Sequence, residues 1–223
     1  MIFVFFTVPD LSFIKKKCIF PCLFSTMTME RQSMNRIKTW IAAIAVGLLA
    51  AGCTRTVIPE EVLQLPEYTP VYTSYNLWAN ENGEIPSANV QKGTIIPFGT
   101  EITFVNANED EINFKRAADG KTFKLIYDKQ RNIIPIETFI KRLFVLDNEE
   151  MLTAGIRPVI YEKIKRGVVE KGMTRNEVLL AFGPPPAMRT PSEAVDTWTY
   201  WTDYGITKKI VFFGNRVVEI IDL

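Results

Sequence analysis

The sequence predicts an α+β protein: a small β barrel in its first part, then two helices leading into a three-stranded antiparallel sheet. Three observations predict it. Apolar and polar residues alternate in short runs between residues 71 and 127. One apolar helical face recurs at Ile136, Phe139, Ile140, Leu143 and Phe144, spaced i, i+3, i+4, i+7 and i+8. Beyond residue 195 the period returns to two, with Gly214-Asn215 between two strand-length runs.

Before those elements comes an address label. Met34 opens a tripartite export signal: the basic Asn35-Arg36-Ile37-Lys38, the apolar run Ile41 to Leu49, and Ala50-Ala51-Gly52-Cys53. The apolar run is too short to span a hydrocarbon core of about 30 Å, so a cleaved signal is expected over 34–52. Small residues directly before a cysteine resemble the lipobox of bacterial lipoproteins. That resemblance implies a diacylglycerol on the Cys53 thiol and cleavage that leaves this cysteine first. Thr54, a non-aspartate, implies by the same likeness the outer membrane, with the body facing the periplasm. Residues 1–33 do not read as a second signal and are expected to be a mis-assigned start, translation beginning at Met34, with Met27 and Met29 as rivals. Cys18 and Cys22 lack further ligands for a metal.

Removal of residues 1–52 from the 223 leaves 171, moves the net charge from +1 to −3, and leaves Cys53 as the only cysteine. Stability must then come from packing rather than from an internal disulfide. The chain has no histidine, which removes Ser-His and Cys-His nucleophile pairs and His-ligated zinc. No cofactor motif, metal ligand set or basic field for nucleic acid is visible.

Residues 53–70 carry Pro59, Pro66 and Pro70 without periodicity and read as a lipidated tether. Residues 71–150 read as the β-rich domain. Ile102 and Phe104, Ile112 and Phe114, then Phe123, Leu125 and Tyr127 mark strands, Asp119-Gly120 a turn, and Glu109-Asp110-Glu111 a solvated hairpin tip. The Gly93-Thr94 and Gly99-Thr100 punctuation resembles SH3-type barrels, with the 136–144 helix closing the open end. A second helix is predicted from Pro158 to Arg166, stopped by Gly167.

The clearest local signal runs from Gly172 to Pro185. Thr174 and Glu177 form a capping box, and Met173 with Val178 a hydrophobic staple. Gly183 sits at the C-cap and Pro184 to Pro186 forbid continuation. Downstream, Trp198 and Tyr200 share one strand face and are expected in the core. Trp201 points to the other face and is the candidate partner contact. The order Gly-Met-Thr-x-x-Glu-Val, Leu-Ala-Phe-Gly-Pro-Pro, Trp-x-Tyr over residues 155–223 resembles the SmpA/OmlA (BamE-like) domain. The resemblance implies two helices on a three-stranded antiparallel sheet and a non-catalytic role in outer-membrane protein assembly or envelope integrity. Its candidate partners are outer-membrane assembly proteins. A peptidoglycan-binding lipoprotein and an inhibitor of a secreted enzyme are the alternatives.

Overall fold

Alternation dictates the first sheet. In the computed structural model, which describes residues 54–223, β6 (Glu101–Asn108), β7 (Glu111–Arg116) and β8 (Thr122–Ile126) form an antiparallel meander. Their inward residues Ile102, Ile112, Phe114, Phe123 and Leu125 are buried. The β6–β7 turn is the expected acidic tip, closed by the Asn108 side chain accepting from the Asp110 and Glu111 backbone N–H groups. The far side of β6 is shared by β1 (Thr56–Val57) and β2 (Val71–Thr73), and β2 continues to β9 (Phe144–Val145). β4 (Glu84–Pro86) joins β8 in parallel at the opposite edge. The helix α3 (Ile136–Leu143) buries Ile136, Phe139, Ile140 and Leu143 of the predicted face in the same cluster, whereas Phe144, expected to continue that face, has extended backbone and lies in β9.

The expected SH3-like barrel is not what forms. The strand order β4-β8-β7-β6-β2-β9 leaves β4 and β9 as unpaired edges of a curled mixed sheet, whereas a barrel needs them to pair. A second correction concerns residues 54–70, read as a tether. β1 pairs Thr56 with Asn108 and Val57 with Ala107, Val57 is buried, and Pro59–Leu63 forms a short helix, α1, that lies against α3. The prolines that argued for a tether act otherwise here: Pro59 starts a helix at its first turn, where its missing N–H costs nothing.

After the short helix α4 (Glu149–Leu152), the C-terminal part contains α5 (Pro158–Lys165), α6 (Arg175–Phe182) and the antiparallel sheet β10 (Thr197–Asp203), β11 (Ile206–Phe213), β12 (Arg216–Asp222). It is not the self-contained two-helix BamE-like fold expected from the resemblance. Trp78, from β3 (Leu77–Ala79), and Phe98, which follows β5 (Thr94–Ile96), lie in its core with Trp198, Tyr200 and Phe182. Two buried asparagines complete the junction. Asn76 Nδ2 donates to the carbonyls of Ile164 (2.5 Å) and Ala181 (3.2 Å), and its Oδ1 accepts from Phe98 N–H (3.0 Å). Asn89 Nδ2 donates to Phe182 O (3.0 Å) and to Asn76 O (2.8 Å). A helix leaves its last carbonyls without intrahelical partners, and burial makes an orphan costly. The last turns of α5 and α6 are therefore closed by side chains from the first half of the chain.

Packing at this junction also explains two glycines. A Cβ on Gly183 (φ +76°) would lie 2.6 Å from the Tyr75 ring, and one on Gly167 (φ +63°) 2.7 Å from Trp78. Both positions stop a helix and admit an aromatic ring from the first half.

Candidate functional site

The motif residues from Gly172 onward hold the fold. Glu177 Oε2 accepts from the Thr174 backbone N–H at 2.6 Å, and Thr174 Oγ1 from the Glu177 N–H at 3.2 Å, a complete capping box. Met173 and Val178 are both fully buried in the second cluster. Gly172 N–H donates to Val217 O at 2.8 Å, fastening the loop to β12. Trp198 Nε1 donates to Glu193 O (3.1 Å) and the Tyr200 hydroxyl to Gly183 O (3.0 Å). Burial pushes the Tyr200 hydroxyl well above its ordinary pKa of 10, so it stays a donor. Pro185 is buried where the chain leaves α6.

Trp201 sits elsewhere. Alternation along β10 turns it to the face opposite Trp198 and Tyr200, and its ring is half-buried with the Arg189 guanidinium over it, 4.6 Å from the centroid. The register places Thr199, Lys209 and Ile221 in one row on the same face, and Thr197, Val211 and Glu219 in another. Lys209, Val211 and Ile221 are only partly covered. This is a mixed surface with an aromatic–cation pair at its edge strand, a composition found in protein contacts.

A cleft lies between the two halves. Ser74, Tyr75, Arg142, Leu179, Leu180 and Glu193 contribute to a depression of about 350 Å³. Arg142 and Glu193 face each other at 3.6 Å. Ser74 Oγ donates to the carbonyls of Arg142 and Leu143, so its hydroxyl is engaged with the backbone. Burial raises the Tyr75 hydroxyl pKa, with Glu193 reinforcing and Arg142 opposing. Neither group forms a nucleophile–base pair.

The third feature lies where the described chain begins. Arg55 spans two elements at once: Nε meets Glu109 of the β6–β7 tip at 2.9 Å, and Nη2 meets Glu137 of α3 at 2.5 Å. The Arg55 hydrogen bond holds the Glu137 carboxyl below its usual value of 4.5. Arg55, Tyr127, Lys129, Ile133 and Glu137 line an open groove of about 440 Å³. Ile133 ends α2 (Lys129–Asn132) with φ +58°, and its side chain is 66% exposed. Cys53 and the export signal lie outside the described residues, as do the predicted start error at 1–33 and the Cys18–Cys22 pair. Sequence reading missed Arg55 and Ile133, since neither belongs to a motif.

No group of three His, Cys, Asp or Glu side chains is placed to hold a metal ion among the described residues, and none of their helices is long and apolar enough to cross a membrane. Comparison with protein-family models, with curated proteins and with solved structures gives no match.

Proposed function

We propose that this protein is exported, cut before Cys53, anchored by lipid on that cysteine to the periplasmic face of the outer membrane, and acts there by binding rather than by catalysis. The observation that carries the reading is the join between signal and body. Ala50-Ala51-Gly52-Cys53 ends a signal-like segment, and the first strand among the described residues begins three residues later at Thr56. A cut before Cys53 would leave only Cys53, Thr54 and Arg55 ahead of that strand, which supports the reading. Lipid attachment contributes about 0.8 kcal/mol per buried CH₂, so two or more chains hold a protein firmly.

Trp201 under Arg189 is the proposed partner contact, because it combines an aromatic surface with an edge strand. The likeness of residues 155–223 to SmpA/OmlA sequences directs the partner search to outer-membrane assembly proteins. Two experiments test the reading. Cells fed an alkyne-bearing palmitate should label the protein in the membrane fraction, and Cys53→Ala should abolish both label and membrane retention. Affinity purification from detergent-solubilised envelope should then recover barrel-assembly subunits with the unaltered chain and lose them with Trp201→Ala. Recovery of no such subunit from a labelled, membrane-bound protein would refute the assembly role and leave the anchor.

A further inference from the structure

The anchor and the body are joined too closely for the body to stand away from the bilayer. Arg55 is clamped to both Glu109 and Glu137, and Thr56 is already paired in the sheet. Two residues of chain reach at most about 7 Å from Arg55 to Cys53. Whichever surface surrounds Arg55 is therefore held against the membrane that carries the lipid. That surface is the groove whose other wall bears Ile133.

Ile133 is unusual there on two counts. A β-branched side chain in the left-handed region is disfavoured by Cβ–carbonyl crowding, and glycine or asparagine is the ordinary choice at such a helix end. It is also a large apolar side chain two-thirds exposed to solvent. The loop that displays it is fixed from several sides. Asp128 caps α2 by accepting from the N–H groups of Gln130 and Arg131. The buried Asn132 donates to Ser87 Oγ and Asp128 O. The Tyr127 hydroxyl donates to Ile134 O. The groove carries two cations, Arg55 and Lys129, against three anions, Glu109, Asp110 and Glu137, with Arg55 shared between the two glutamates.

We infer that the Arg55–Ile133 face is a membrane-contact surface, with the Ile133 side chain seated among the lipid headgroups of the bilayer that holds the Cys53 anchor. This inference rests on the lipoprotein reading. Because the lipid on Cys53 supplies the affinity, the apolar side chain can reach the boundary between headgroups and acyl chains without a basic patch around it.

The test uses the mature lipidated chain, which begins at Cys53 and whose only thiol carries the lipid, reconstituted in vesicles of phosphatidylethanolamine and phosphatidylglycerol. A thiol-reactive environment-sensitive dye is placed at Ile133→Cys, or at Ala118→Cys as the control. Ala118 lies in the turn at the other end of β7, about 20 Å from the acidic tip. Headgroup spin-labelled lipid should quench the dye at 133 about threefold or more over that at 118, because an interfacial side chain sits only about 5–10 Å deep. Protein that floats with the vesicles yet shows equal quenching at both sites overturns the membrane-contact face alone. Protein that fails to float overturns the anchor itself.

Discussion

In the curled sheet, Ile112, Phe114, Phe123 and Leu125 reach the interior by strand alternation within one meander. In the second cluster, the ends of α5 and α6 are closed by Asn76 and Asn89, which lie 88 to 105 residues upstream of the carbonyls they serve. The meander pairs its own backbone, whereas the helix ends of the second cluster need donors from the first half, whose Asn76 and Gln91 N–H groups in turn donate to Leu180 O and Trp201 O, both at 3.0 Å. A buried carbonyl without a donor costs about 1–3 kcal/mol, so this dependence is energetic as well as geometric. A helix–helix–sheet order in the sequence does not by itself make an independent domain.

The largest expected effect on that contrast comes from Trp78→Ala. It empties space in the second cluster from a strand of the first half, and should cost about 3–5 kcal/mol in a denaturant melt. Hydrogen exchange should quicken first in α5 and α6, ahead of β7 and β8; the reverse order would break the comparison. Asn76→Ala strands the Ala181 carbonyl and the Phe98 N–H, while Ile164 O keeps the Gly167 N–H as donor, and should cost about 2–3 kcal/mol with the same pattern of exchange. Thr174→Ala removes only a local cap and should cost about 1 kcal/mol by thermal or chemical denaturation.

These numbers also mark what was legible in the sequence. The capping box, the Gly167 and Gly183 stops, the α3 face and the Gly214-Asn215 hairpin all rest on interactions within a dozen residues, and the sequence displays them. Asn76 and Asn89 carry no local pattern: each is an ordinary loop residue until the helix ends arrive against it. The barrel expectation failed for a related reason. Alternation specifies that strands form and which face is buried, but closure depends on whether β4 meets β9, a pairing no single run encodes. The tether expectation failed because prolines at 59, 66 and 70 fit a helix start and loop positions as well as they fit an extended linker.

Smaller effects sharpen the contrast at the anchor end. Ile133→Gly removes an apolar side chain and should nevertheless stabilise the soluble body by up to about 1 kcal/mol. Relief of left-handed crowding, about 1–2 kcal/mol, exceeds the entropy that glycine adds to the unfolded chain. A thermal melt reads the sign directly, and a loss of stability would show that Ile133 packs against the body. Arg55→Ala should have the smallest effect at neutral pH, since the pair is exposed and screened by solvent. Its pH dependence is the sharper readout. Arg55 depresses the folded-state Glu137 pKa, so the contribution is present above the unfolded value near 4.5 and fades as pH falls through the folded one. The stability difference between Arg55→Ala and the unaltered chain should therefore shrink below about pH 4.5.

The most direct measurement for the central claim is the mass of the N-terminal peptide of the protein isolated from membranes. A peptide beginning at Cys53 and carrying diacylglyceryl is the predicted result. A peptide spanning Gly52-Cys53 with an unmodified thiol would contradict the anchor and everything built on it.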